Sequence, residues 1–125
     1  MLRRYLEEPD HDRYEELLLS DRDWTTARHS FVEVRRALAR RLEEPELGQA
    51  REDFSEDWRR CDVVELDAFL CGLAADLAES TGARTLDALH LAAAHRVGAG
   101  ALPFLTADVR QAMIARSLGW TVLGV

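Results

Sequence analysis

The sequence contains no lysine: all 16 of its basic residues are arginine. Positive charge is scarce overall, with a formal net charge of −7 at pH 7. That balance excludes a protein that grips nucleic acid by bulk positive potential. It leaves room for an enzyme with a local basic rim, or for one in which bound cations invert the local field. The planar guanidinium fork suits phosphate recognition, and a GC-rich genome produces the same preference for arginine. Cysteine is nearly absent as well. Cys61 and Cys71 match no zinc-ligand spacing and do not make a disulfide scaffold, so reduced thiols are expected. No stretch approaches the ~20 consecutive apolar residues of a membrane span. The N-terminal "MLRRYLEEPDHDRYEE" lacks the apolar run of a signal peptide. The expectation is a cytoplasmic protein with no membrane contact. Gly-rich phosphate loops are missing too: "GARTLDALHLAAAHRVGAG" holds neither G-x-G-x-x-G nor G-x-x-x-x-G-K-[ST]. This disfavours a nucleotide-binding domain.

What remains is a chain of 125 residues, 47% hydrophobic, suited to one domain over 1–125 with one core. Helical patterns dominate. Residues 2–8 read as a short helix stopped before Pro9, and 11–20 as a second. "HSFVEVRRALARRLEE" (29–44) places Phe31, Val34, Leu38 and Leu42 at helical spacing. A polar helix or helical hairpin is expected over 45–60. "DAFLCGLAADLAESTG" reads as a helix ended by Gly82, and "TLDALHLAAAHRVG" as an Ala-rich helix packed closely on both sides. "DVRQAMIARSLG" gives the last helix. Strands are expected at 23–27, 61–66, 101–106 and in the closing "WTVLGV", with Pro103 an awkward guest in the third. The alternation predicts an α/β fold, an open and mainly parallel sheet with helices on both faces.

Three carboxylates stand at the starts of helices. "SFVE" has the form of a capping box, in which Ser30 and Glu33 bond each other's backbone N–H. Asp87 falls in a first helical turn, and Asp108 sits where a strand gives way to a helix and can serve as an N-cap. Each has a sufficient structural reason, since an acid at a helix start is worth roughly 0.3–1 kcal/mol. Together they point elsewhere. Strand-to-helix junctions of α/β sheets are where ligands bind. Glu33 and Asp108 follow expected strands, while spacing alone does not fix whether the helix start that carries Asp87 reaches the same pocket. If the three meet there without lysine, they raise one another's pKa unless a hard cation such as Mg²⁺ or Mn²⁺ takes their oxygens. His29 and Glu33 are four apart and can share a metal, while His90 and His95 do not share a helix face well. Trp24, Trp58 and Trp120 are expected to pack. Arg35, Arg36, Arg40 and Arg41 form a basic stretch that reads as a solvated face or an RNA rim.

The sequence resembles the PIN-domain proteins, and most of all the VapC-type toxins of bacterial toxin–antitoxin pairs. The likeness lies in "LRRYLEEP" (2–9), "TARHSFVEVRRALAR" (26–40), "TLDALHLAAAH" (85–95) and "FLTADVRQAMIARSLGWTVL" (104–123). "LDALHLA" with "LTAD" is its most specific part. The resemblance implies a three-layer α/β/α fold and a Mg²⁺- or Mn²⁺-dependent endoribonuclease with an acidic cluster as its site. It also implies a cognate antitoxin and homodimerisation. Glu33, Asp87 and Asp108 match three of the family's acidic, metal-binding positions. Thr106 matches the hydroxyl residue two before the last Asp and is expected to hydrogen-bond a carboxylate and orient it. The family's first Asp, at the end of a central first strand, has no counterpart here, because Met1 falls inside the helix that follows it. The expectation is a natural start upstream of Met1; a degraded toxin gene and a rearranged fold are the alternatives. The rival function is a catalytically decayed protein that still binds an antitoxin or its own copy.

Overall fold

The computed structural model describes residues 1–125. Its backbone gathers into two compact units, Met1–Val63 and Val64–Val125. The first begins with a 3₁₀ turn, Leu2–Arg4, followed by α1 (His11–Ser20), β1 (Thr25–Ala27), α2 (Ser30–Arg41) and α3 (Glu46–Arg60), with β2 (Asp62–Val64) at its end. The second holds α4 (Ala68–Thr81), α5 (Thr85–Arg96), β3 (Phe104–Leu105), α6 (Val109–Ser117) and β4 (Val122–Leu123).

In the first unit the apolar spacing read from the sequence becomes the core. Val34 and Leu38 of α2 face Ala50 and Phe54 of α3, with Leu6 closing the cluster. Leu38 and Phe54 are fully buried. Aromatic rings extend this core: Phe31 lies 5.5 Å from Phe54 and 5.3 Å from Trp58, and Tyr5 meets Phe54 edge-on at 5.6 Å. Such pairs add ~0.5–1.5 kcal/mol each beyond the area they bury. Trp58 therefore packs, as expected. Trp24 is fixed through its indole N–H, which points at the Leu18 and Asp21 carbonyls. The region 45–60 forms one continuous helix rather than a hairpin.

The expected helix over 2–8 shrinks to the Leu2–Arg4 turn. Arg3 reaches forward to Glu8 and Asp10, and Leu6 is drawn into the core, so the chain turns back before a second helical turn can form. β1 lies beside β2, with the Asp62 N–H on the Trp24 carbonyl at 2.9 Å.

In the second unit α4 and α5 form a closely packed pair. Ala74 of α4 and Ala88, Ala92 and Ala93 of α5 are buried, as are Leu70 and Leu91. Small side chains let two helix axes approach closely. α5 also packs on α6, so the Ala-rich helix has neighbours on two sides, as its composition implies. Leu91 joins Ala99, Ala115 and Trp120 in a second core. α4 ends as expected at Gly82, in the left-handed region with φ 73°, its N–H on the Ala78 carbonyl.

β3 and β4 pair in parallel, Phe104 opposite Val122 and Leu105 opposite Leu123, with α6 as the connection between them. The strand expected over 101–106 is shorter than its sequence suggests. The N–H groups of Ala101 and Leu102 turn back to the Gly98 carbonyl, and Pro103 has none to offer a ladder. Pairing therefore starts at Phe104, whose N–H meets the Thr121 carbonyl at 2.8 Å.

Candidate active site

The junction from β3 to α6 is built from the backbone outward. The Thr106 N–H bonds the Leu123 carbonyl at 3.1 Å, which locks Thr106 to the end of the sheet. Its buried hydroxyl then accepts the Asp108 N–H at 3.1 Å. Asp108 has extended backbone (φ −87°, ψ 118°), and its Oδ1 accepts the N–H groups of Arg110 at 2.7 Å and Gln111 at 3.1 Å. It is the N-cap of α6 that its position predicts.

Asp87 lies half-buried in the first turn of α5. Its Oδ1 accepts a hydrogen bond from Gln111 Nε2 at 2.8 Å. The same amide receives the Thr106 hydroxyl on its Oε1, also at 2.8 Å. Two of the three expected acids are thus brought to neighbouring helix starts and joined by Thr106 and Gln111. The Thr106 hydroxyl donates to Gln111, which in turn holds Asp87, so it reaches that carboxylate through one amide.

Gln111 is absent from the sequence-based set of site residues. A signal for it exists. Asp108 and Gln111 stand at N-cap and N3, the D-x-x-Q form of a capping box, which would send the glutamine side chain back to the Asp108 N–H. Thr106 already occupies that N–H, so the amide is diverted to Asp87.

Glu33 lies in the first unit, on the first turn of α2. The capping box expected for it does not form. The helix starts at Ser30, with His29 in the N-cap place and already helical (φ −68°, ψ −16°). The Ser30 hydroxyl accepts from Thr26 at 2.8 Å, while the Glu33 N–H goes to the His29 carbonyl at 3.1 Å. The Glu33 carboxylate pairs with His29 Nε2 at 3.4 Å, one turn back. His95 is exposed and stacks on Trp120, with centroids 6.3 Å apart. Of the arginine stretch, Arg36 and Arg40 are exposed, Arg35 lies over the Phe31 ring and Arg41 bonds Glu8.

A further carboxylate, Asp57, is buried in the first unit. Its Oδ2 accepts from Arg4 Nε at 2.8 Å and from the Tyr5 hydroxyl at 2.6 Å. Arg4 continues to Glu15 at 3.0 Å. Burial, and then the bond to Asp57, push the Tyr5 hydroxyl well above the usual phenol range. The carboxylate is already matched by a cation and a hydroxyl, and it anchors the N-terminal turn to α3.

The donor chemistry at Asp87 and Asp108 consists of carboxylate oxygens steadied by backbone N–H groups and a neutral amide. Oxygen donors without a quenching side-chain cation fit a hard divalent ion. The short parallel β3–β4 pair, with helices around it and Asp108 at the helix start that follows β3, fits an α/β/α fold. The chain belongs to the PIN domain family, which matches residues 2–117. Members of that family are generally metal-dependent nucleases. Neither a curated protein nor a solved structure matches the chain.

Proposed function

We propose that the protein is a Mg²⁺- or Mn²⁺-dependent endoribonuclease, the toxin of a toxin–antitoxin pair. The family match, which runs across both compact units, supports treating 1–125 as one PIN-like domain. The observation that carries the reading is the linked pair Asp87 and Asp108 at the starts of α5 and α6. In this reading Asp87 and Asp108 hold the cation, and Glu33 is the third acid of the family pattern. A bound Mg²⁺ or Mn²⁺ supplies Lewis-acid stabilisation of charge on a phosphodiester and acidifies a water. The chain's own part is to orient. Asp108 is fixed by two backbone N–H groups and Asp87 by Gln111, so neither carboxylate must be reordered when substrate arrives. The exposed guanidiniums of Arg36 and Arg40 offer forks for RNA phosphates.

A cognate antitoxin, a homodimer and a cytoplasmic site of action complete the proposal. No helix is long and apolar enough to cross a membrane. The test is RNA cleavage with Mn²⁺ for the parent chain, Asp87→Asn, Asp108→Asn and Glu33→Gln. Loss of metal-dependent cleavage in all three, with cooperative melting preserved, is the expected result. Undiminished cleavage by Asp87→Asn would overturn the assignment. A parent that binds an antitoxin but neither cuts RNA nor takes up Mn²⁺ would instead be a decayed binding module.

A further inference from the structure

We propose that Gln111 is a positioning residue for metal binding: suspended between the Thr106 hydroxyl and the Asp87 carboxylate, it sets the orientation in which Asp87 meets a divalent cation. The inference rests on the metal-dependent reading above and adds to it the side chain that sets the ligand's geometry.

The hydrogen bonds run one way. The Asp108 N–H donates to Thr106 Oγ1, the Thr106 hydroxyl donates to Gln111 Oε1, and Gln111 Nε2 donates to Asp87 Oδ1. Every donor is aimed toward Asp87, an alignment in which each bond polarises the next. Both ends of the relay are anchored. Thr106 is held by its backbone bond to Leu123, and Gln111 by its own N–H on Asp108 Oδ1. The amide therefore has little freedom, and neither does the carboxylate it holds. Its neutrality matters as much as its reach. An arginine or lysine at 111 would have no acceptor for the Thr106 hydroxyl and would cancel the negative charge that draws a cation. Glutamine orients without cancelling. Holding Gln111 on Asp87 also forgoes its return to the Asp108 N–H, the local bond that its N3 position favours.

A residue that only staples α6 to α5 would affect melting and leave metal affinity alone, which separates the two roles. Mn²⁺ is titrated into the full chain, with free Mn²⁺ read by electron paramagnetic resonance, and melting is followed separately in EDTA. The variants are Gln111→Met, Thr106→Val, Thr106→Ser and Asp87→Asn. Asp87→Asn should lose binding. Gln111→Met, similar in shape but without polar groups, should bind about 10–100-fold more weakly while still melting cooperatively in EDTA. Thr106→Val should weaken binding in the same direction, and Thr106→Ser, which keeps the hydroxyl, should restore it. Parent-like Mn²⁺ affinity in Gln111→Met, with Asp87→Asn inactive in binding, overturns this inference and leaves the metal reading standing. A parent chain that takes up no Mn²⁺ overturns both. If Gln111→Met does not fold, equal affinity of the Thr106→Val and Thr106→Ser proteins overturns it.

Discussion

Single residues in this protein are decided by partners far away in the chain. Asp57 is buried because Arg4 and Tyr5, more than fifty positions earlier, supply a cation and a hydroxyl. Asp87 is held by Gln111, 24 positions later. Neither pairing leaves a local pattern, which is why neither was legible in the sequence, whereas Asp108, whose partners are two and three residues on, was legible. Ser30 shows the reverse case: the local capping pattern was present, but the hydroxyl of Thr26 claimed the serine and the helix began one residue earlier. The two cysteines should differ sharply in reactivity. Cys71 is exposed on α4, while Cys61 is half-buried and its thiol is pushed up to about 11, first by burial and then by nearby Asp57. The thiolate is the nucleophile. With iodoacetamide at pH 8, Cys71 should be modified first and Cys61 slowly, its rate climbing until the pH nears 11. The sign for stability follows: a thiol whose folded pKa is raised favours the fold below its ordinary range, and that contribution is lost as pH rises through about 11. Equal labelling of both cysteines at pH 8 would contradict the burial of Cys61.

At the scale of elements, hydrophobic period and end signals were enough for α1 to α6, but not over 2–8, where the expected helix is only a 3₁₀ turn. The α2 stripe became one side of the first core, against Ala50 and Phe54 of α3, and the glycine after "AEST" ended α4 in the left-handed conformation. Replacing Gly82 by alanine tests that end. A Cβ there would meet no heavy atom within 4 Å, so the cost is conformational rather than steric crowding. It should be about 1–2 kcal/mol, read as a lowered denaturation midpoint; an unchanged midpoint would mean that α4 does not need this turn. At the other end of α4, Asp67 accepts the Leu70 N–H and pairs with Arg96, and these contacts, in that order, hold its carboxyl below the usual range. Its help to the fold is therefore present above the ordinary carboxylate range and fades as the pH drops through its lowered pKa. Strands were less legible than helices. Two-residue pairings such as β3 with β4 are set by where neighbouring N–H groups turn away, and Pro103 was the sole local warning.

Across the whole molecule, a net charge of −7 limits how the proposed RNA substrate can be held. If the exposed Arg36 and Arg40 supply the phosphate contacts, the logarithm of RNA affinity should fall against the logarithm of salt with a slope between about −1 and −2. Fluorescence anisotropy of labelled RNA across a salt series gives that slope. A much steeper one would require a broader cationic footprint than these two side chains. The acids were legible as a class from their places at helix starts, and the family from the "LDALHLA" and "LTAD" stretches. The direction each carboxylate takes was not, because it depends on which donors the tertiary structure leaves over.

The three indoles are distributed unevenly: Trp24 and Trp58 belong to the first compact unit, and Trp120 to the second. Trp120 sits between the rings of His95 and Phe104. A chain in which Trp24 and Trp58 are replaced by phenylalanine would thus emit from one place, beside a titratable imidazole. Its colour and brightness would follow the half that carries Asp87 and Asp108, separately from the other half.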